Sequence, residues 1–265
     1  MHGSKIDSVV TLLRRALGRG AKKVIGAFGN PRNIDPWHGL NDIAQADQEL
    51  ILSVDNYTMT GPARRYQLIE AVRYVVKHRI PGAVVECGVW RGGSMMLAAR
   101  TLLDCGDTSR DLYLYDTFEG MPAPSSADKD WRSVEATQIL LADDGNRENS
   151  YFWAIASLPE VKRNLLSIGY PSGRIHFVQG KVEQTLSEIC PDQISVLRLD
   201  TDWYESTAHE LKYLYPKVCR GGVVIIDDYG YWQGARRAVD EFISLCGEPI
   251  FLNRIDTSCR CFVRP

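Results

Sequence analysis

Ile194-Ser195-Val196-Leu197-Arg198-Leu199-Asp200 and Val223-Val224-Ile225-Ile226-Asp227-Asp228 are the stretches that decide how this chain folds. Each is an apolar run of strand length that closes on acid. Between them lies one segment of helical length, Ser206 to Val218, followed by Gly221-Gly222. Strand, helix, strand reads as a right-handed crossover, which makes the two strands parallel and, as direct neighbours, about 4.8 Å apart. Asp200, Asp227 and Asp228 then meet at one edge of a sheet. Ligands of open α/β sheets bind outside the carboxyl ends of the strands, so these acids stand where chemistry is expected. Clustered anions repel unless a cation joins them. An all-oxygen set with no Cys or His nearby favours a hard ion, and Mg²⁺ keeps positions open for water or substrate oxygens. Taken singly, each acid is equally well explained as a helix or turn cap.

Upstream the alternation continues. Ala83 to Cys87, Leu112 to Tyr115 and Arg174 to Val178 read as strands; Ser94 to Leu103 and Val182 to Ile189 read as helices. Downstream, Gly234 to Leu245 reads as a helix, and Pro249 to Ile255 with Ser258 to Val263 as two terminal strands. Such alternation marks a doubly wound α/β sheet. The interval from Glu119 to Gly173 is too long for an ordinary connection and holds Trp131, Trp153 and helical segments, which makes it a candidate lid or substrate wall.

The first strand leads into Val85-Glu86-Cys87-Gly88-Val89-Trp90-Arg91-Gly92-Gly93-Ser94. Glycines permit a tight turn and close approach to a ligand, and the helix that follows favours negative charge at its start. The spacing is not G-x-G-x-x-G. Val89 and Trp90 would crowd a pyrophosphate, and Glu86 suits an ammonium better than a phosphate. The second strand ends in Asp116, roughly thirty residues after Glu86, where a carboxylate can accept hydrogen bonds from both ribose hydroxyls; taken by itself, Asp116 is equally well explained as a turn residue. Gly180, in Gln179-Gly180-Lys181-Val182, places a third turn where an adenine would lie. A glycine turn, a ribose-binding acid and an adenine-side glycine describe a nucleoside pocket beside a cation-binding cluster.

The 265 residues are 45% hydrophobic and 24% charged, enough for one core burying roughly 70–75% of the unfolded surface. A net charge of -2 argues against a general nucleic-acid binder. No apolar run reaches the roughly 20 residues of a membrane span, and no signal-peptide core is visible. The 7 cysteines are odd in number and scattered, which suits a reduced, cytoplasmic protein. Cys259 and Cys261 form a C-x-C pair that strand alternation puts on one face, and they read as packing. Residues 8 to 28 form an amphipathic basic pattern with Val9, Leu12, Leu13 and Leu17 apolar, expected to pack on its own domain or on a dimer mate. Residues 29 to 60 are loop-rich, and Pro62 to Lys77 reads as a helix.

From about Tyr57 onward the chain resembles the metal-dependent macrocin-type O-methyltransferases, which methylate sugar or aryl hydroxyls in antibiotic biosynthesis. The resemblance rests on the glycine turn above, on Tyr115-Asp116-Thr117-Phe118-Glu119-Gly120-Met121-Pro122, on Leu197-Arg198-Leu199-Asp200-Thr201-Asp202-Trp203-Tyr204-Glu205-Ser206-Thr207, and on Gly221-Gly222 through Asp227-Asp228-Tyr229. It implies a class I, Rossmann-like S-adenosylmethionine-dependent methyltransferase fold, seven-stranded with the last strand antiparallel, and an N-terminal helical extension. The expected division is a cover segment over residues 1–60 and a methyltransferase domain over 61–265, with a lid insertion near 121–170. It further implies S-adenosylmethionine as donor, Mg²⁺ on Asp200, Asp227 and Asp228, and a homodimer. Glu86 and the turn through Gly88, Val89, Trp90, Gly92 and Ser94 would hold the methionine part. Asp116 would hold the ribose, Thr117 and Phe118 the nucleoside, and Gly180, Lys181 and Val182 the adenine side. Tyr57-Thr58-Met59-Thr60 would cover the cofactor.

Methyl transfer from a sulfonium is an in-line displacement, so the protein has to orient a hydroxyl and remove its proton. Asp200, beside the metal, is the first candidate base. A metal-bound carboxylate is a weak base, and related catechol-type enzymes place a lysine where this chain has Trp203, so Asp202 is the second. His38 and His209 read as surface or core residues, whereas Trp203 and Tyr204 read either as packing or as a platform for an acceptor. The expected partner is a small glycosylated or phenolic natural product, its identity set by Pro36, Trp37, His38 and the insertion. Two other readings stay open here: an NAD-type oxidoreductase, which the missing G-x-G-x-x-G turn disfavours, and a catalytically silent nucleoside-binding domain, which the complete acid set disfavours.

Overall fold

The computed structural model describes Trp37, residues 39–142 and residues 153–265. The amphipathic pattern of residues 8 to 28, with Pro36 and His38, lies outside these described residues. The chain divides into a unit ending at Asp42 and a unit from Ile43 to Pro265, which carries every element below.

Five strands run parallel: β1 (Ala83–Cys87), β2 (Leu112–Asp116), β3 (Ile175–Gln179), β4 (Ile194–Leu199) and β5 (Val218–Ile226). With β6 (Asn253–Arg254) and β7 (Arg260–Val263) they form a seven-stranded sheet in the order β3-β2-β1-β4-β5-β7-β6. The last strand, β7, pairs antiparallel with both β5 and β6. Every residue of β1 and β4 is buried, as parallel strands covered on both faces require. The helices are α1 (Gln45–Leu52), α2 (Pro62–Lys77), α3 (Gly93–Asp104), α4 (Ala136–Ala142), α5 (Leu158–Leu166), α6 (Val182–Thr185), α7 (Tyr204–Leu214) and α8 (Gln233–Leu245). Pro62 opens α2 with its φ already set for a helix. A core of Val85, Cys87, Tyr115, Leu197, Leu199, Leu211, Val224, Ile226 and Phe262 joins the central strands to α7.

Several boundaries differ from the sequence reading. Within the loop-rich stretch, α1 forms on a buried stripe of Ile43, Asp47, Ile51 and Val54, and the acid inside that stripe masks its period. Arg73 on α2 donates to both oxygens of Asp47, at 2.9 and 2.5 Å. Helix α7 stops at Leu214, because Pro216 lacks an N–H and a 3₁₀ turn over Tyr215–Lys217 follows. Gly221-Gly222 lies within β5, in an irregularity where the β4–β5 register shifts between Ile194 and Val196. The terminal strands are shorter than their apolar runs, and a two-residue edge strand offers little backbone for unwanted pairing. All seven cysteines are free, with Cys259 and Cys261 buried.

One ladder of hydrogen bonds aligns the strand ends. The N–H of Gly180 donates to the Asp116 carbonyl, Gly88 to Tyr115, Asp200 to Cys87 and Asp227 to Leu199, each at 2.9 Å. The first residue past β1, β3, β4 and β5 is thus pinned to the neighbouring strand. Gly88 sits at φ +81°, where a Cβ would lie 2.0 Å from the Asp200 carbonyl oxygen. Its missing side chain serves the approach of β1 to β4. Gly88→Ala is expected to lower the unfolding free energy by about 3 kcal/mol, read as a lower urea midpoint at unchanged slope. A variant as stable as the parent would mean that the two strand ends can part without cost.

Candidate active site

The crossover between β4 and β5 brings the predicted acids together. Asp200, Asp227 and Asp228 each offer a carboxylate oxygen, and these atoms all lie within 4.8 Å of one another. Two arginines stand among them. Arg198, facing Glu86 in the β1–β4 register, donates through Nη1 to Glu86 Oε1 and Asp200 Oδ2 and through Nη2 to Asp227 Oδ1, each at 2.6 Å. Arg64 on α2 donates to Asp227 Oδ2 and, at 2.6 Å, to Asp256. Burial pushes Asp200 well above the ordinary carboxylate range; Arg198 opposes this, whereas the charges of Asp227, Asp228 and Glu86 reinforce it. Asp228 is pushed up likewise by burial and then by Asp202 and Asp227. Its Oδ2 is buried without a hydrogen-bond partner. Carboxylates held this high are short of positive charge. A hard divalent cation fits this all-oxygen donor set with its orphaned atom.

Asp202 stands beside the three, close enough that its carboxyl interacts with those of Asp200, Asp227 and Asp228. It has the left-handed φ of 67°, its Oδ1 accepts from Trp232 Nε1 at 2.6 Å, and burial pushes its carboxyl up to about 7. Trp203 is 4% exposed, meets Trp232 edge to face at 4.9 Å and donates through Nε1 to the Pro122 carbonyl at 3.0 Å. Tyr204 gives its hydroxyl to Glu241 at 2.7 Å beneath the Arg237 guanidinium. The Trp203 ring is therefore packed in the core, whereas the Tyr204 ring is half-buried with Arg237 over it. His209 stacks on Tyr213 with centroids 4.3 Å apart.

The nucleoside side lies across β1, β2 and β3. Asp116, expected to face a ribose, accepts from the N–H groups of Val89 at 2.6 Å, Trp90 at 3.1 Å and Phe118 at 2.7 Å. It thereby holds the glycine turn and the turn after β2, in which Trp90 and Phe118 have positive φ. Thr117 donates to the Gly120 carbonyl at 2.8 Å. Glu86 is buried, and burial pushes its carboxyl up to about 7 although Arg198 pulls it down. Its Oε2 has no partner, which leaves one acceptor for an ammonium. The cover segment lies on the turn: Gly93 N–H donates to the Tyr57 carbonyl at 2.9 Å, and a Cβ on Gly93 would meet that oxygen at 2.5 Å. The Thr58 and Thr60 hydroxyls bond each other at 2.9 Å next to Met59. Ser94 and Val182 are buried at the starts of α3 and α6, and Gly180 with Lys181 forms the turn before α6.

The insertion is fastened to the side of the acid cluster. Buried Asp128 accepts from Tyr204 N–H, the first residue of α7, at 2.8 Å and from Ser125 N–H at 2.7 Å. Gly234 leaves the necessary room, since its Cβ would stand 2.3 Å from Asp128 Oδ1. Met121 N–H donates to the Trp153 carbonyl at 3.0 Å, so the insertion leaves and returns side by side. Arg198, Asp128 and Trp232 have no role assigned to them from the sequence. An arginine inside an otherwise apolar strand was the one signal available for any of them. Asp128→Ala is expected to cost about 2 kcal/mol through the lost cap and the unpaired donors. Thermal melts of the two proteins at the same pH measure it, and equal midpoints would show that the insertion is held elsewhere.

This strand order with the acid cluster at its carboxyl edge is a class I S-adenosylmethionine-dependent methyltransferase fold. The solved O-methyltransferase NovP is similar over 78% of this chain and 82% of its own, with a TM-score of 0.66 and 33% identity. The calicheamicin methyltransferase CalS11 shares the fold at a TM-score of 0.58 and 16% identity, over 83% of this chain and 93% of its own. Residues 52–264 match the macrocin O-methyltransferase (TylF) family, and the chain belongs to it. Its relatives include the 8-demethyl-8-(2,3-dimethoxy-alpha-L-rhamnosyl)-tetracenomycin-C 4'-O-methyltransferase of Streptomyces olivaceus, 34% identical over 76% of this chain and 72% of that protein. The mycinamicin III 3''-O-methyltransferase of Micromonospora griseorubida is 31% identical over 70% of each chain. The protein is an O-methyltransferase.

Proposed function

We propose that the chain transfers a methyl group from S-adenosylmethionine to a hydroxyl of a sugar, or of an aryl group, on a small natural product, with Mg²⁺ at Asp200, Asp227 and Asp228. The observation that carries this reading is the three-acid cluster beside the half-paired Glu86 on one sheet edge. The name of the tetracenomycin relative, a 4'-O-methyltransferase of a rhamnosyl compound, supports a sugar hydroxyl. When bound, the sulfonium supplies an electrophilic methyl, and the divalent ion supplies a Lewis acid that lowers the pKa of a neighbouring hydroxyl.

The side chains supply the rest. Glu86 receives the amino group of the methionine part through its free oxygen. Asp116 accepts from the ribose hydroxyls, Thr117 and Phe118 flank the nucleoside, and Thr58 with Met59 closes over it from the segment seated on Gly93. Asp200 is the first candidate base in the sequence, but its Oδ2 is taken by Arg198 at 2.6 Å and it stands among the acids that would hold the cation. We therefore assign the base to Asp202. Trp232 fixes its orientation through one oxygen, and its carboxylate would take the acceptor proton as the new oxygen–carbon bond replaces the sulfur–carbon bond of the sulfonium, which would leave as a neutral thioether.

Two measurements test the reading. Titration calorimetry should show micromolar binding of S-adenosylmethionine and S-adenosylhomocysteine and none of NAD⁺; tight NAD⁺ binding, or no binding of the sulfur compounds, would sink it. With a sugar acceptor found by screening, Asp202→Asn should lower kcat by about 10²- to 10³-fold while homocysteine-analogue affinity holds. If Asp202→Asn turns over like the parent and Asp200→Asn alone loses the proton-transfer step, the base returns to Asp200.

A further inference from the structure

The site has two halves, a carboxylate for the cofactor amine on β1 and a carboxylate cluster for the metal on β4 and β5. Among the described residues, Arg198 is the one cation bonded to acids of both, through Glu86, Asp200 and Asp227. Arg64 reaches only Asp227 and Asp256. We infer that Arg198 is an internal counter-ion that keeps the cofactor half assembled before any metal arrives, so that cofactor binding does not wait for Mg²⁺. The inference rests on the reading of Glu86 as the amine-binding residue.

Glu86 and Arg198 occupy directly paired positions on adjacent strands and are 1% and 4% exposed, so solvent does not neutralise either. A buried carboxylate without a partner takes up a proton instead of staying charged. As a neutral acid Glu86 would offer an ammonium far less. The guanidinium fork holds Glu86 and Asp200 on one nitrogen and Asp227 on the other, a geometry that a lysine, as a point charge, cannot reproduce. Asp200 and Asp227 are thereby partly neutralised without the metal, and their repulsion does not reach Glu86 unopposed. Arg198 thus acts as a positioning residue on Glu86.

The test is calorimetric titration of S-adenosylhomocysteine into the parent protein, Arg198→Met and Arg198→Lys, each in chelator and in saturating Mg²⁺. The parent should bind with affinities within about threefold in the two conditions. Arg198→Met should lose at least about tenfold in chelator and regain part of the loss with Mg²⁺, which then stands in for the missing charge. Arg198→Lys, which keeps one charge in the same place, should fall between them, and it decides the matter if the methionine variant fails to fold. A parent that binds only with Mg²⁺, or variants that bind in chelator as tightly as the parent, would overturn the inference and leave the methyltransferase reading intact. A parent that binds no homocysteine analogue under either condition would overturn both.

Discussion

Arg198 lies buried between Glu86 near the end of β1, Asp200 past the end of β4 and Asp227 past the end of β5, and donates to all three at 2.6 Å. The backbone ladder already aligns these strand ends, and the guanidinium adds a charge constraint to the same three. Breaking one partner of such a network leaves an uncompensated buried charge, at a cost of about 3–5 kcal/mol. The arrangement also explains how a sheet edge tolerates so many acids. Asp200 and Asp228 still sit far above the ordinary carboxylate range, so two arginines do not meet the demand for positive charge. A site with that residual demand is unfavourable for the folded chain alone and favourable for a cation, the usual exchange of stability for function.

The acids were legible because the apolar stretches of β4 and of the second half of β5 end unambiguously on acid, and a right-handed crossover leaves one way to place them. The glycine turn was legible as a turn but not in its purpose. Gly88 and Gly93 read as room for a ligand, whereas their missing side chains make room for the Asp200 and Tyr57 carbonyls. Asp116 reads equally as a ribose ligand or a turn residue, and its three backbone donors belong to two turns that local sequence does not bring together. Asp128 was invisible for a plainer reason: its bond to Tyr204 spans 76 residues, and nothing in Ser125 to Asp128 distinguishes a distant helix cap from an ordinary turn. Trp203 shows the converse. Its position beside the acids suggested a stacking platform, and only its contacts with Pro122 and Trp232 place it in the core.

Three non-glycine residues with left-handed backbone, Trp90, Phe118 and Asp202, fall in the turns after β1, β2 and β4. Such conformations cost about 1–3 kcal/mol each and persist only where surrounding contacts over-determine them. Here those contacts are identifiable. Asp116 holds Trp90 and Phe118 by their N–H groups, and Trp232 holds the Asp202 carboxyl. Trp232 is in turn bridged to Asp130 of the insertion, which Asp128 anchors at α7. These contacts make the described residues of the insertion part of the frame that keeps the Asp202 turn in its unfavoured shape. Because the strain is met by the protein before any ligand enters, a bound nucleoside and acceptor find the carboxylates already aimed, and their binding energy is not spent on ordering the turns.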